Sequence, residues 1–252
     1  MFKQLGLLED GQAAPWRRLD GHLTVRESRR AKRMILQCVP PHTLELVVPS
    51  GTRPKLVEAF VREHRDWIDR AHRELSDGLS AAGVQRPERI DLKAIGGEWE
   101  VRYSAASNLR ARWRACGRRL TLHCVDPAYR DGPRLLRGWL LEQARLHLKP
   151  WLAAEAELCG LRPAKVQVRV QKTRWGSCSA QGVISLNASL LFVEPELVRY
   201  LFVHELSHLR VLNHSRRFWR CVERFVPDYR VLDKRLEAAW TRIPYWLFDK
   251  RA

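Results

Sequence analysis

The sequence predicts an α+β protein, with an N-terminal antiparallel β-meander plus helix, then a domain in which one motif-bearing helix packs on a small sheet. Short runs of alternating apolar residues predict strands early in the chain, and apolar residues at helical spacing predict helices later. The 252 residues are 45% apolar and include 10 tryptophans, which is enough for a hydrophobic core. This composition excludes disordered and fibrous proteins.

The N-terminal region carries short strands followed by a helix. Strands are predicted at His22–Glu27, Met34–Val39 and Thr43–Val48, with a break at Pro40 and Pro41. Pairing of consecutive strands gives an antiparallel meander.

An amphipathic helix is predicted from Pro54 to near Gly78. Its apolar face consists of Leu56, Phe60, Trp67 and Ile68. The polar segment 76–95 is the best candidate for a connection. We therefore divide the chain into residues 1–95 and 96–252, with one continuous unit as the alternative.

The second domain mixes strands and helices. Its predicted elements are strands at Glu98–Tyr103 and Arg119–Cys124, a helix at Pro133–Leu158, and strands at Lys165–Gln171 and Val183–Asn187. Pro150 predicts a kink or a restart in the long helix. Glu194 and Pro195 begin a further buried helix that runs into His204.

The chain is strongly basic, with 45 Lys and Arg against 28 Asp and Glu and a net charge of +17. Such a field attracts phosphates, nucleic acid or acidic surfaces. The basic residues include an acid-free group around Trp113, namely Arg110, Arg112, Arg114, Arg118 and Arg119. This group is either a phosphate-contacting patch that binds nucleic acid or nucleotides, or a solvated hairpin with Trp113 turned inward. Charge runs more often mark exposed faces, which favours the hairpin.

The six cysteines lie far apart and form no C-x-x-C pair, which argues against a zinc ribbon and a disulfide scaffold. Reduced thiols in the cytoplasm are the simpler interpretation. The start of the chain does not resemble a signal peptide, and no window of 18 uncharged apolar residues follows. We expect a cytoplasmic protein without a membrane partner.

The segment that carries chemistry is residues 204–208, which read H-E-L-S-H. Residues four apart share a helix face, so His204 and His208 can both bind one Zn²⁺ while Glu205 lies beside it. His214 can supply a third ligand if the chain turns back after Leu212. A shuffled chain of this composition contains H-E-x-x-H only about once in fifty cases.

This ligand set predicts hydrolysis. Three neutral imidazoles leave the charge of the metal undiminished, so a bound water can ionise near neutral pH. Glu205 would accept the proton of that water and deliver it to the leaving group. The competing interpretation is a core helix with two satisfied histidines, but a buried glutamate between them needs a charged partner.

Five short blocks carry further information, namely K-T-R-W-G-S-C-S at 172–179, I-S-L-N at 184–187, H-E-L-S-H-L at 204–209, N-H-S at 213–215 and F-W at 218–219. Together they resemble the YgjP-like metallopeptidase family, which is distantly similar to the SprT-like proteases. The resemblance extends from about residue 20 to residue 245. It implies a zincin-like catalytic domain in which His204, His208 and His214 bind one zinc per chain and Glu205 is the catalytic acid/base.

One detail distinguishes this chain from the metzincins, and another extends the prediction to the helix that follows. Metzincins have similar spacing but carry Gly where this chain has Val211. Ser215 fits the N-cap of a following helix over residues 216–226, with Phe218 and Trp219 packed beneath the metal-binding helix.

The turn at residues 174–178 lies between two predicted strands. In zincin-like folds such a strand borders the cleft and pairs with an extended substrate, so Arg174, Trp175 and Asn187 are candidate substrate-binding residues. The alternative for Trp175 is core packing. For Cys178 a small turn residue is favoured over a ligand or nucleophile.

The leading hypothesis is a cytoplasmic zinc metallopeptidase that acts on peptides or proteins. The first alternative is a nucleotide (UTP-type) pyrophosphatase on the same metal site, although no P-loop or acidic Mg²⁺ cluster is present. A further alternative is a nucleic-acid-associated protein, either with a structural zinc or with protease activity on DNA-bound proteins. Glu205 argues against a structural zinc, which normally takes four ligands.

Overall fold

The computed structural model describes most of the chain, namely residues 23–39, 43–82, 86–106, 110–126 and 131–248. Both helices and strands are present, so the prediction of a mixed α and β protein is confirmed. The chain divides into two compact units, the first ending at Leu79 and the second beginning at Ser80. Each unit has its own hydrophobic core.

The strands of the first unit lie close to their predicted positions, but they pair differently. They are β1 (Leu23–Ser28), β2 (Ile35–Val39) and β3 (Thr43–Pro49). Their order is β1-β3-β2, with β1 parallel and β2 antiparallel to β3. The predicted antiparallel meander is therefore wrong. The central position goes to β3, where the consecutive residues Leu46, Val47 and Val48 are all buried, because a strand that is apolar on both faces is best covered there.

The predicted single helix is two helices, α1 (Pro54–Glu63) and α2 (Arg65–Ala82). Their buried residues are Val57, Val61, Ile68 and Ala71, which follow one another at spacings of three, four or seven. Of the predicted apolar face, Ile68 is buried and Phe60 packs against the core, whereas Leu56 and Trp67 are exposed. The buried face packs with β1 and β3 residues into one core.

The second unit begins with a four-stranded sheet of order β4-β5-β7-β6. Its strands are β4 (Arg89–Leu92), β5 (Gly97–Ala105), β6 (Arg112–Cys116) and β7 (Arg119–Cys124). β4 lies in the segment that the sequence predicts as a connection, and it pairs antiparallel with β5. Since Ile90 and Leu92 are buried in the core of the second unit, the division between units falls earlier than residue 95.

One long helix, α3 (Gly132–Cys159), lines the core of the second unit. Its buried residues include Leu136, Trp139 and Leu140, and the helix contacts both the four-stranded sheet and the elements that carry the site. The helix continues through the exposed Pro150, and it ends at Gly160, which has φ 62°. None of the helices in the described ranges is both long enough and apolar enough to cross a bilayer.

A second three-stranded sheet and three short helices complete the unit. They are β8 (Lys165–Arg169), β9 (Gly176–Cys178), β10 (Val183–Asn187), α4 (Pro195–Ser207), α5 (Arg216–Glu223) and α6 (Tyr229–Ala238). The sheet has the order β8-β10-β9, with β8 parallel and β9 antiparallel to the central β10. α4 contacts β9, α3, α5 and α6, so it lies in the middle of this part of the molecule.

Candidate metal centre

Helix α4 buries most of the H-E-L-S-H segment because its first turns are apolar on several sides. Pro195 begins the helix at a position where its missing N–H has no partner to lose, and Leu197, Val198, Leu201 and Phe202 are buried. The last turn therefore lies inside the protein. His204 is partly buried there, Glu205 is 4% exposed, and His208 caps the C-terminus of the helix.

His214 joins the two helical histidines through the loop between α4 and α5. The side chain of Asn213 accepts a hydrogen bond from the backbone N–H of Ser215, which turns the chain into α5. Ser215 stands at the predicted N-cap position, but its own side chain makes no capping bond. One ring nitrogen from each of His204, His208 and His214 lies within 4.8 Å of the others.

The spacing of two of these nitrogens matches that of ligands around a tetrahedral metal. His204 Nε2 and His214 Nε2 are 3.2 Å apart. Bonds of about 2.0–2.1 Å at a tetrahedral angle place two ligand nitrogens roughly 3.3 Å apart. His208 Nδ1 lies 3.1 Å from the carbonyl oxygen of Val211, so Nδ1 carries the proton and donates, and Nε2 keeps its lone pair.

The two helical histidines, His204 and His208, are neutral near neutral pH, as metal ligands must be. Burial, reinforced by the neighbouring His208 and His214, lowers the pKa of His204 to about 3. Burial likewise lowers the pKa of His208, although its bond to Val211 opposes this shift. The proton therefore does not compete with a cation for either nitrogen near neutral pH.

Aromatic rings pack against the three imidazoles. The ring of Phe218 lies 4.9 Å from His204, 4.4 Å from His208 and 4.8 Å from His214, and it stacks on His208. Trp219 lies 5.7 Å from His214 and stacks on Tyr229 at the start of α6. These contacts restrict the rotation of the imidazole rings before any metal binds.

The carboxylate of Glu205 is buried against β9. A Cβ atom at Gly176 would lie 2.7 Å from Glu205 Oε1, so only glycine leaves room for the carboxylate at this point of the strand. Glu205 Oε2 is buried and has no hydrogen-bond partner among the described residues. Burial raises the pKa of Glu205 to about 8, opposed by the charge of Arg174, and a bound cation would lower it again. An oxygen without a partner at this place fits a site that receives a metal and a water.

The candidate substrate-binding residues have three different environments. Arg174 is exposed near Glu205. Trp175 is buried and stacks on Trp240 with ring centroids 4.1 Å apart, which agrees with the alternative of core packing.

Asn187 is 0% exposed, and its amide holds the loop that precedes β9. It donates to the carbonyl oxygens of Gln171 and Arg174 and accepts from the backbone N–H groups of Gln171 and Ser189. A side chain with all of these partners shapes the loop and has no surface to offer a substrate. Its contact with substrate stays a prediction that the burial does not favour.

The cysteine of this segment is not activated. Burial, together with the nearby charge of Glu205, raises the pKa of Cys178 to about 11, so the thiolate is scarce near neutral pH. Its Sγ donates to the carbonyl oxygen of Ser179. The five cysteines with described side chains, Cys116, Cys124, Cys159, Cys178 and Cys221, are all free thiols.

The basic stretch forms the β6–β7 hairpin, away from the histidines in sequence. Arg112 and Arg114 are exposed on β6, while Trp113 between them packs against the core. Arg118 donates to the carbonyl oxygen of Gly96, and Arg119 pairs with Glu100 at 2.9 Å. This arrangement is the solvated hairpin, and contact with nucleic acid stays a prediction.

Sequence reasoning did not identify two residues that adjoin the site. The hydroxyl of Tyr200 lies 3.4 Å from His204 Nδ1, and it donates to Asp233 Oδ1 at 2.7 Å. Tyr200 could have been found, because it is four residues before His204 on the same helix. Asp233 could not, since only the packing of α6 on α4 brings it there.

Comparison with known proteins gives a family match and a partial structural likeness. A family model for the YgjP-like, metallopeptidase domain matches residues 32–239. No curated protein matches the chain significantly. The crystal structure of the metallopeptidase zymogen of Pyrococcus abyssi abylysin is similar to this chain at 31% identity, with 36% of this chain and 92% of that chain covered and a TM-score of 0.34.

Proposed function

Because the chain belongs to the YgjP-like metallopeptidases, it is a metal-dependent peptidase, and we propose that it uses a single zinc ion held by His204, His208 and His214. The observation that carries this proposal is the convergence of three imidazoles beside one buried carboxylate whose Oε2 has no hydrogen-bond partner among the described residues. Three nitrogen ligands with a fourth position open are typical of catalytic zinc, whereas structural zinc takes four protein ligands.

When bound, zinc supplies a Lewis acid that polarises a carbonyl group and lowers the pKa of a water. Glu205 then acts as the general base and general acid. Its carboxylate accepts a proton from the attacking water and delivers that proton to the leaving amine. Gly176 contributes by leaving space for this carboxylate, and the burial of Glu205 keeps bulk water from competing for it.

The substrate is proposed to be an extended polypeptide that pairs with β9. This strand is at one edge of its sheet, since β10 occupies its other side and the described residues supply no further strand there. Backbone groups at an open edge can bind an added strand. β9 also passes directly over Glu205 at Gly176, so a paired substrate would bring its backbone to the catalytic carboxylate. Arg174, exposed at the start of this edge, is placed to contact an acidic side chain or a terminal carboxylate.

The five free thiols support a reducing compartment, and we propose the cytoplasm.

The proposal is tested by metal analysis combined with hydrolysis assays on the full chain. We expect about one zinc per chain, cleavage of an unfolded protein such as reduced casein, and loss of both in the His204→Ala/His208→Ala double variant. His64→Ala/His72→Ala, which changes two histidines in the first unit, is the matched control and should keep both. Zinc retained at full stoichiometry in the site variant would overturn the ligand set. Zinc-dependent hydrolysis of nucleoside triphosphates with no cleavage of polypeptide would overturn the substrate class.

A further inference from the structure

We infer that Tyr200 and Asp233 form a hydrogen-bond relay that fixes the ring of His204 with Nε2 toward the metal. They are positioning residues, since neither lies among the converging nitrogens of the site. This inference rests on the proposed zinc site and names the groups that prepare one of its ligands.

The direction of the hydrogen bonds follows from the number of protons available. A phenol has one proton to donate, and a carboxylate only accepts when ionised. The Tyr200 hydroxyl is 2.7 Å from Asp233 Oδ1 and 3.4 Å from His204 Nδ1, so its proton points to Asp233. The phenol oxygen is then an acceptor toward His204, and the imidazole must carry its proton on Nδ1. Nε2 is left with a free lone pair.

The same logic holds for the second histidine of the helix by another route. His208 Nδ1 donates to the carbonyl oxygen of Val211, which also leaves Nε2 free. The tautomers of both helical histidines are therefore set by hydrogen-bond acceptors that contact Nδ1. In His208 the acceptor is a backbone carbonyl, whereas in His204 it is a side chain that another side chain polarises.

The surroundings of Tyr200 favour this role over simple filling of the core. Tyr200 is 1% exposed, so water does not compete for its hydroxyl. Its position four residues before His204 places the two side chains on one face of α4, where the rings meet edge to face with centroids 6.0 Å apart. Asp233 reaches the hydroxyl from α6, where its neighbours Leu232 and Leu236 are buried against the core. The negative oxygen thus enters through a rigid element, which is what an orienting group needs.

The expected consequence is a change in metal affinity. Partners that orient a ligating histidine and raise its basicity typically contribute about 10- to 100-fold to metal affinity. Tyr200→Phe removes the hydroxyl and keeps the ring, so we expect zinc to bind about 10- to 100-fold more weakly. Asp233→Asn keeps an oxygen acceptor without the charge, so its loss should be smaller than that of Tyr200→Phe.

The experiment measures zinc affinity by competition with a chromophoric chelator, in the full chain. Tyr103→Phe is the matched control, because Tyr103 lies on β5 and its hydroxyl donates to the carbonyl oxygen of Pro87, before β4. It should leave zinc affinity unchanged. A Tyr200→Phe variant that loses thermal stability but binds zinc within twofold of the wild type would overturn the relay and leave the zinc site intact. A wild type that binds no zinc would overturn the proposed function and the relay together.

A second readout requires neither metal nor activity. Long-range ¹⁵N–¹H NMR of the metal-free protein reports which imidazole nitrogen carries the proton. We expect the Nδ1–H tautomer for His204 in the wild type and a shift toward Nε2–H in Tyr200→Phe. In Asp233→Asn, which changes an exposed side chain on α6 and so is expected to fold, the shift should be partial. An Nε2–H tautomer in the wild type would overturn the relay, even if Tyr200→Phe failed to fold.

Discussion

The two three-stranded sheets of this protein have the same topology but bury different chemistry. In β1-β3-β2 and in β8-β10-β9, the first strand runs parallel and the second antiparallel to a central third strand. The central β3 buries Leu44, Leu46 and Val48 in an apolar core. The central β10 buries Ser185 and Asn187 beside Ile184 and Leu186. The strand arrangement alone therefore does not determine where function lies.

The difference extends to the whole of each unit. Among residues whose burial is described, those that are buried and polar or charged all lie in the second unit, namely Gln143, Glu155, Ser185, Asn187, Ser189, Glu205, Ser207 and His208. A buried polar group destabilises the fold unless it has a partner. Asn187 has protein partners, whereas Glu205 Oε2 has none among the described residues. The second unit, which buries this carboxylate oxygen, is therefore the unit in which we expect a ligand to bind.

The largest effect is expected when a glutamate at the metal site is replaced by glutamine, compared with the same replacement on β3 of the first unit. Glu205→Gln keeps the shape of the side chain but cannot accept the proton of water, so kcat should fall by about 10²- to 10⁴-fold with zinc retained. The control is Glu45→Gln on β3, where the carboxylate pairs with Arg26 at 2.8 Å. Activity should be unaffected there, because an exposed pair contributes only about 0–1 kcal/mol to stability.

The measurement is the rate of cleavage of the same unfolded protein, with zinc content determined on each sample. An unchanged kcat in Glu205→Gln would remove this residue from the mechanism and with it the reason for its burial.

Equivalent truncations of the two central strands should separate stability from function. Leu46→Ala leaves a cavity in the first unit and should lower the free energy of unfolding by about 2–5 kcal/mol. Zinc content should be unchanged, since Leu46 is fully buried in a core separate from that of the histidines. Asn187→Ala should cost about 1–3 kcal/mol by leaving backbone groups of the 171–174 loop without a partner. It should also reduce kcat/KM, because that loop leads into β9.

Amide hydrogen exchange shows which unit is destabilised by Leu46→Ala and which by Asn187→Ala, since it reports the stability of each unit separately. If Asn187→Ala lowered stability without any change in kcat/KM, the loop would have no part in positioning β9. Loss of zinc from Leu46→Ala would contradict the separation of the two cores.

The sequence predicts the local elements well and identifies three histidines that converge in the structure, but it predicts the pairing of strands poorly. The bounds of β10 and the start of α4 follow from alternation and from Pro195, which are local signals. The parallel pairing of β1 with β3 depends on which strand is covered on both faces, and this is a property of the complete unit. In α1, Leu56 and the adjacent Val57 both fit an apolar stripe, and only the fold shows that Val57 is the buried one. The role of Asn187 could not be predicted, since its partners come from a loop that only the fold brings near.

A smaller effect is expected from adding one methyl group where β9 meets the carboxylate. In Gly176→Ala the new Cβ would lie 2.7 Å from Glu205 Oε1, so the strand or the carboxylate must move. Overpacking of this kind typically lowers the free energy of unfolding by about 1–3 kcal/mol. We also expect kcat/KM to fall, because the carboxylate that must move is the proposed general base. Gly138→Ala is the control, because its nearest neighbour is an ordinary contact at 3.6 Å. It lies within α3, so alanine there should be neutral or stabilising.

Activity assays and thermal unfolding on both variants test this prediction. Equal activities in Gly176→Ala and Gly138→Ala would mean that Glu205 can relocate without loss, and that the close approach of β9 has no catalytic role.

The smallest effect is expected at the basic β6–β7 hairpin. Substitutions there test whether positive charge outside the metal site has a function. Arg112 and Arg114 are exposed on β6, whereas Arg118 and Arg119 are engaged with Gly96 and Glu100. Reversal of both exposed arginines to glutamate should change the free energy of unfolding by less than about 0.5 kcal/mol and leave cleavage of polypeptide unchanged.

Binding to double-stranded DNA provides the discriminating measurement for this hairpin. Each phosphate neutralised by a cation contributes about 0.9 to the slope of log K against log salt concentration. If both arginines contacted phosphates, the Arg112→Glu/Arg114→Glu variant would lose nearly two from that slope. We expect a change below one, because Trp113 is partly buried and packs against the core, so it offers little aromatic surface for a base to stack on. A loss near two would show that the hairpin binds nucleic acid, and the positive charge of the chain would then serve recruitment as well as solubility.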